Sequence, residues 1–418
     1  PNIWYINWQS QSVQMPHFPV CNTTAHNNLE NLYFHAGNVF TAFKSQVFKT
    51  FPSLKYLEIR STNLAEFPDL SNATNLDHLR LDSNKIVLPN ETHIPINNKL
   101  RILRLNDNLI TTLYSSFFDH LTTLAELYLY SNQITALPEG LFTYLFNLII
   151  FHIYSNQIKS IPSKTGMIAP CKLREFFMYH NQIEIFPEGF LINMTALYYL
   201  HLSNNHFPYL TNHTGLPLVN ILRHLYLYSN RLTFISNGFF TNMHHLYDPA
   251  FHAQTNTGTD MVLPSDWGLP HPNIVKSLRL YDSHAVKVIP DGFLKNFSAH
   301  VSLNLHNDRI YKLWNVSLIP VPNILDNIDL CDNVLEYLPE NFLANMSKLR
   351  TLKLCNNRLK ELPEKSGLSL VNSLITLNLD NNHLLYLNAS FFAELNKLTT
   401  LDLDRNWFIV HPEITILP

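Results

Sequence analysis

One eleven-residue spacing recurs along the chain and limits what it can fold into. The stretch Leu124 to Ile134, LAELYLYSNQI, sets Leu124, Leu127, Leu129, Asn132 and Ile134 in the pattern L-x-x-L-x-L-x-x-N-x-L. The pattern returns from Leu29, Leu54, Leu76, Leu100, Leu124, Leu148, Leu173, Leu197, Leu222 and Leu246, less cleanly from Val275 and His300, then from Leu325, Leu349, Leu374 and Leu398. Starts lie 22 to 25 residues apart, with one longer interval after Leu246. Leu127 and Leu129 alternate with Tyr128 and Tyr130, so the segment reads as a short strand with leucines on one face and tyrosines on the other. A strand so short cannot bury its apolar edge alone. Stacked copies can, and a fixed period of this size marks a one-dimensional stack of coils.

The asparagine column has a physical reason. Where the chain leaves the strand, backbone groups of its own and neighbouring coils are left unpaired, and an amide side chain can bond them. The column runs through Asn84, Asn108, Asn132, Asn156, Asn181, Asn205, Asn230, Asn333, Asn357, Asn382 and Asn406. It breaks at Gly37, Thr62, Gln254, Ser283 and Asp308, so the first two coils and those from about 246 to 310 are expected to be less regular.

The closing half of the coil comes in two forms. One carries phenylalanine, as in LPEGLFTYLFNL and LPENFLANMSKL; the other carries Gly or Pro, as in IPSKTGMIAPCKL. Their alternation points to a pair of coils as the unit of duplication. Pro162, Pro187, Pro290, Pro339 and Pro363 open the back half, where a fixed φ suits an irregular or 3₁₀ turn. The sequence therefore predicts an α/β repeat solenoid of about sixteen coils with a parallel β-sheet. Residues 1–28 are read as an N-terminal cap built around Trp4, Ile6 and Trp8, residues 29–410 as the array, and residues 411–418 as a C-terminal end without a cysteine cap.

These motifs resemble those of the "typical" extracellular leucine-rich repeat family, to which Toll-like receptor ectodomains, Slit-like proteins, small proteoglycans and lamprey variable lymphocyte receptors belong. The resemblance covers about residues 29–408 and implies a curved right-handed horseshoe with the sheet on its concave face, irregular or 3₁₀ turns on the convex face, and binding through the concave face or an edge. The chain departs from that family in lacking the cysteine clusters that usually flank the array.

Composition narrows the class of partner. Hydrophobic residues reach 46% and charged residues only 15%, so the chain folds and covers itself largely with neutral polar groups. A formal net charge of -3 gives no general attraction to nucleic acid, and no apolar run is long enough to span a membrane. The start at Pro1, without a signal-like segment, is read as a mature or trimmed chain.

Four cysteines are present. Cys331 and Cys355 follow Leu330 and Leu354 in consecutive coils; adjacent parallel strands lie about 4.8 Å apart, within reach of a disulfide, although two free thiols side by side are the alternative. Cys21 and Cys171 lie too many coils apart to meet. Sequons for N-glycosylation begin at Asn22, Asn72, Asn90, Asn193, Asn212, Asn296, Asn315, Asn345 and Asn388. Asn193, Asn296 and Asn345 each lie three residues after a closing phenylalanine, on a turn that a glycan can occupy. None falls at an outward strand position. This pattern suggests a secreted or cell-surface glycoprotein.

The chemistry gathers at the outward strand positions. Tyr128 and Tyr130, His152 and Tyr154, Phe177 and Tyr179, His201 and Ser203, and Tyr226 and Tyr228, with His180, Tyr199 and His224 beside them, are expected to form a stripe five coils long. Tyrosine offers contact area at little entropic cost and a hydroxyl at its tip, which suits a protein, peptide or glycan ligand. Stacking that only stiffens the sheet is the other reading. Histidines within the stripe raise the question of pH sensitivity near 6.5. Outward charges differ between the ends: Glu58, Arg60, Arg80, Asp82 and Arg104 near the start, Asp329, Asp380, Asp402 and Asp404 near the end. The acidic end suits a basic patch or calcium, or simple solvation. The run from Leu246 to Pro272, with Pro249 at a strand leucine's place, is either a functional excursion or tolerated drift.

No motif for phosphate, catalytic metal, nucleophilic serine or thiol redox chemistry occurs, so no enzyme, cofactor or metal is expected. Two functions fit. One is a recognition scaffold that holds a ligand on its aromatic face; the alternative is a structural glycoprotein that stacks end to end with further copies of itself into fibres or matrix.

Overall fold

Alternating leucines make each copy of the repeat a strand of three to five residues. A computed structural model describes residues 28–409 apart from 36–47, 50, 92–93, 97, 163–171, 186, 192, 212–220, 253, 255–259, 270–274, 295–296, 298–300, 314–324, 366, 369–371 and 394. The cap expected over residues 1–28, apart from Asn28, and the C-terminal end at 411–418 lie outside the described residues, as do Cys21, Cys171, Asn22, Asn212, Asn296 and Asn315. The chain forms two compact units, one running to His201 and the other essentially from Leu202 onward.

In the first unit eight parallel strands follow one another: β1 (Asn31–Phe34), β2 (Tyr56–Ile59), β3 (His78–Arg80), β4 (Ile102–Arg104), β5 (Glu126–Tyr128), β6 (Ile150–His152), β7 (Glu175–Phe177) and β8 (Tyr199–His201). Pairing is in register, with Leu103, Leu127, Phe151, Phe176 and Leu200 on successive rungs. Most of the unit's strands expose, bury and expose in turn, as a period-two strand over a core must. Leu127, Leu129, Phe151, Ile153, Phe176 and Met178 are fully buried, each worth about 1.5–3 kcal/mol of apolar transfer.

The second unit repeats the plan with β10 (His224–Tyr226), β12 (Asp248–Ala250), β13 (Ser277–Arg279), β14 (Val301–Asn304), β15 (Leu325–Asp329), β16 (Thr351–Lys353), β17 (Thr376–Asn378) and β18 (Thr400–Asp402). All pair in parallel, with one shift of register between Val301 and Ser302. A second, two-stranded sheet joins β9 (Tyr209–Leu210) to β11 (Phe234–Ile235) on the return segments.

The asparagines close the gaps that the turns open. Nδ2 of Asn156 donates to Leu129 O and Ile153 O at 3.0 and 3.1 Å, and its Oδ1 accepts Ile134 N at 3.0 Å. One buried amide thus ties two coils. The residue before it, Ser155, has φ 54°, and the same left-handed step recurs at Ser83, Asp107, Ser131, His180, Ser229, Asp332 and Asn356. Ser, Asn and Asp tolerate this conformation through local hydrogen bonds.

Return segments carry consecutive i to i+3 bonds, such as Leu145 N to Phe142 O and Leu148 N to Leu145 O, and two single-turn helices, α1 (Ser115–Phe118) and α2 (Ala389–Phe392). Phe117, Phe118, Phe391 and Phe392 sink from these turns into the core.

The coil around Pro249 keeps its place despite its sequence. Pro249 is buried opposite Leu225, and Gln254 substitutes for asparagine by donating to Leu227 O at 3.0 Å and Phe251 O at 2.6 Å while accepting Leu232 N. Trp267 folds back from the longer return segment into full burial, stacked on Phe240 at 5.0 Å and edge-on to Phe293.

Candidate functional site

Strands β5 to β8 place the expected aromatic residues on the sheet face of the first unit in two parallel columns. The residues after the second buried position stack face to face: Tyr130 on Tyr154 at 4.5 Å and 4°, Tyr154 on Tyr179 at 4.3 Å and 8°. Ser203 takes this position in the next coil, and His201 leans across to meet Tyr179 at 4.3 Å and 30°. The second column runs Tyr128, His152, Phe177 and His201, with His152 flat on Phe177 at 4.3 Å and 6°, and edge contacts at either end. His180 lies edge-on to Tyr179 from its left-handed turn, and Tyr199 meets Tyr198 at 4.7 Å. All these rings are half-buried except exposed His180. In-register strands set ring spacing, so the stack follows from the repeat itself.

The stacked rings themselves carry no charge around neutral pH, with Glu175 Oε2 3.3 Å from His152 Nε2 beside them. Burial holds His152 and His201 down to about 4, in His152 against the pull of Glu126. Burial also raises the phenols of Tyr128, Tyr130 and Tyr154, helped in turn by Glu126, Asp107 and Tyr179. Titration near 6.5, which the sequence raised for these histidines, is therefore moved well below that range at His152 and His201.

The second unit has its own patch. Tyr228, His252 and Tyr281 stack at 4.6 and 4.5 Å, 13° and 9° from parallel, while Tyr226 stands by His224, its hydroxyl 3.4 Å from Nδ1. Burial lowers the pKa of His224 and His252. His252 escaped the sequence reading because Pro249 stands where the first strand leucine belongs, with Gln254 two residues on as the available signal; Tyr281 follows Leu280 at the offset of Tyr130 from Leu129.

Charged outward residues are mostly paired. Tyr56 OH donates to Glu58 Oε2 at 2.6 Å, Arg80 Nη1 lies 3.2 Å from the same oxygen, and Arg60 Nε lies 2.5 Å from Asp82 Oδ2. Glu58 and Asp82 are buried. Near the other end Lys353 Nζ meets Asp329 Oδ2 at 3.2 Å. Among the described residues no group of three or more metal-ligating side chains converges, and no helix is long and apolar enough to cross a membrane.

Cys331 and Cys355, on adjacent rungs at the position that tyrosines hold in the first unit, are joined by a disulfide with Cα atoms 4.6 Å apart. The sequon asparagines Asn72, Asn90, Asn193, Asn345 and Asn388 all lie outside the strands; Asn90 and Asn345 are exposed, and Asn388 Oδ1 caps α2 by accepting Ser390 N.

Residues 98–158 and 347–408 match the family model described as leucine rich repeat. Among curated proteins no sequence matches the chain. Solved structures do resemble it. A chain of the Drosophila Toll–Spatzle complex superposes with TM-score 0.63 at 21% identity, over 90% of this chain and 51% of that one. A leucine-rich repeat protein of Leptospira interrogans gives 0.58 at 22% identity over 91% and 86%, and a chain of the LRIM1/APL1C complex gives 0.59 at 18% over 91% and 61%. At these identities the likeness is one of fold. The two matched stretches and these superpositions agree with the coil described above: the chain has a leucine-rich repeat fold.

Proposed function

We propose that this chain is a secreted or cell-surface glycoprotein that holds a protein, peptide or glycan partner on its aromatic sheet face. Leucine-rich repeat proteins serve in general as binding scaffolds and not as enzymes, and two of the structures it resembles are complexes, Toll with Spatzle and LRIM1 with APL1C. The observation that carries the reading is the Tyr130, Tyr154 and Tyr179 stack. It is half-exposed, neutral and prepaid in conformational entropy, since each ring is fixed by the next. The Cys331–Cys355 bridge supports an oxidising compartment. The described sequon asparagines all lie outside the strands, which supports a sheet face that glycans on them would leave uncovered.

The test has two arms. Secreted from a eukaryotic host, the chain is expected to lose mass on treatment with a peptide N-glycosidase, with glycans mapped to Asn90 and Asn345. Ligands selected on the wild-type chain are expected to lose binding when Tyr130, Tyr154, Tyr179 and Tyr228 become alanine, with the thermal transition retained. Unchanged binding would assign the rings to the scaffold. Filaments in place of discrete particles on sizing would favour the self-associating alternative.

A further inference from the structure

The cations of the sheet face follow a rule with one exception. Arg60 is paired with Asp82, Arg80 with Glu58, Arg279 with Asp248 at 2.5 Å and Lys353 with Asp329. Among the described residues Arg104 alone of these sheet-face cations has no carboxylate within 4.0 Å. Its guanidinium lies over the ring of Tyr128, 4.5 Å from the centroid.

The nearby acids are occupied elsewhere. Asp82 serves Arg60 and Arg80, Asp107 accepts Asn106 Nδ2 at 2.8 Å, and Glu126 accepts the Tyr128 hydroxyl at 2.8 Å. A guanidinium held over a ring face still has N–H donors to offer a planar oxyanion. Arg104 therefore presents a half-exposed cation beside Tyr128 that no protein carboxylate pairs. It pairs in register with Tyr128, at the head of the aromatic columns.

The columns narrow the partner further. In the Tyr130, Tyr154 and Tyr179 stack the facing ring surfaces cover one another, so ring edges make up most of what stays half-exposed. A sugar ring needs an open aromatic face to lie on. Ring edges, which carry the positive side of the quadrupole, and phenol hydroxyls suit backbone carbonyls and small apolar side chains. A single unpaired cation among paired ones also lacks the density that a sulfated glycan requires. From the Arg104 rung to the Tyr179 rung is three strand spacings, about 14 Å, the span of about four extended residues.

We propose that Arg104 and the Tyr130, Tyr154 and Tyr179 stack form a subsite for an extended peptide segment bearing one acidic side chain. The carboxylate seats on Arg104 through paired N–H donors, and about four neutral residues run across the ring edges. This narrows the partner class of the proposed function and rests on that reading.

Random decapeptides displayed on phage and selected on the full chain test it, with heparin dodecasaccharide as a second probe. Selected sequences are expected to share an Asp or Glu beside neutral residues. Changing that residue to its amide, or Arg104→Gln, is expected to weaken binding at least about tenfold, and the two changes together little more than either alone. Arg104→Lys restores part of the loss, while Arg101→Gln, which breaks the exposed pair with Asp77, leaves binding unchanged. The amide change on the peptide leaves the protein untouched, so its effect does not depend on folding of a variant. Peptides without a shared acid, or indifferent to Arg104→Gln but sensitive to Tyr154→Ala, would overturn the Arg104 subsite and leave the aromatic face standing. No enrichment, or tighter binding of heparin that is lost with Tyr154→Ala, would overturn the peptide subsite and leave the aromatic face standing; binding of peptide or heparin indifferent to both Arg104→Gln and Tyr154→Ala would overturn both readings.

Discussion

Asp308 Oδ1 accepts the backbone N–H of Ser283 at 3.2 Å, while its Oδ2 is buried without a hydrogen-bond partner. Where asparagine holds this place in the column, as at Asn156 and Asn333, its amide both accepts and donates. Burial pushes the carboxyl of Asp308 up to about 8, so the folded chain keeps a proton that the unfolded chain releases near 4. Stability contributed by that proton is present at acid pH and falls as pH rises from about 4 to 8. Asp308→Asn is expected to stabilise the chain at pH 7.5 by about 1–3 kcal/mol and to flatten the profile between about pH 4 and 8, measured as unfolding midpoints across pH. A variant less stable than wild type at pH 7.5 would refute this.

The stripe histidines act in the opposite sense. His152 and His201 titrate at about 4 in the folded chain and near 6.5 when unfolded, so protons taken up only by the unfolded state erode stability as pH falls through that window. Replacing both by phenylalanine, the residue at 177 in the same column, is expected to remove this loss and make the profile between pH 6.5 and 4 shallower. Imidazole resonances followed by NMR give the check at each site, and values near 6.5 would contradict the burial.

Asn156→Ala removes an amide that bonds three carbonyls and the Ile134 N–H from within the core. Leaving these backbone groups unpaired is expected to cost about 2–4 kcal/mol, read as a lowered midpoint in urea. Hydrogen exchange should rise first at Ile134 and its neighbours. An effect below about 0.5 kcal/mol would show that water replaces the amide freely.

Reduction of Cys331–Cys355, 24 residues apart in sequence, is expected to destabilise the second unit by about 3 kcal/mol, and the paired change to serine should do the same. The comparison is a melting curve with and without reductant. A double-serine variant that still responds to reductant would place the sensitive bond elsewhere.

The period of leucines and asparagines was legible because each coil repeats one solution to one problem, an edge that must be buried and a turn that must be paired. Tyr130, Tyr154 and Tyr179 were legible for the same reason, since their column is a fixed offset from Leu129. His252 was not, because Pro249 takes the first strand leucine's place even though the strand remains in register, whereas Tyr281 follows Leu280 at that same offset. Trp267 enters the core from a segment without the period. The unpaired state of Arg104 is likewise invisible along the chain, as it depends on which acids the neighbouring coils have already engaged. The low pKa of His152 depends on burial from both sides of its rung.

The aromatic face can be probed directly by hydroxyl-radical footprinting of tyrosines, with and without a selected ligand at saturation. Tyr130, Tyr154 and Tyr179 are expected to oxidise several-fold more slowly in the complex, while Tyr337 and Tyr386, 58% and 51% exposed on return segments, keep their free rates. Protection of Tyr337 or Tyr386 with no change at Tyr154 would place the partner off the sheet face and contradict the account.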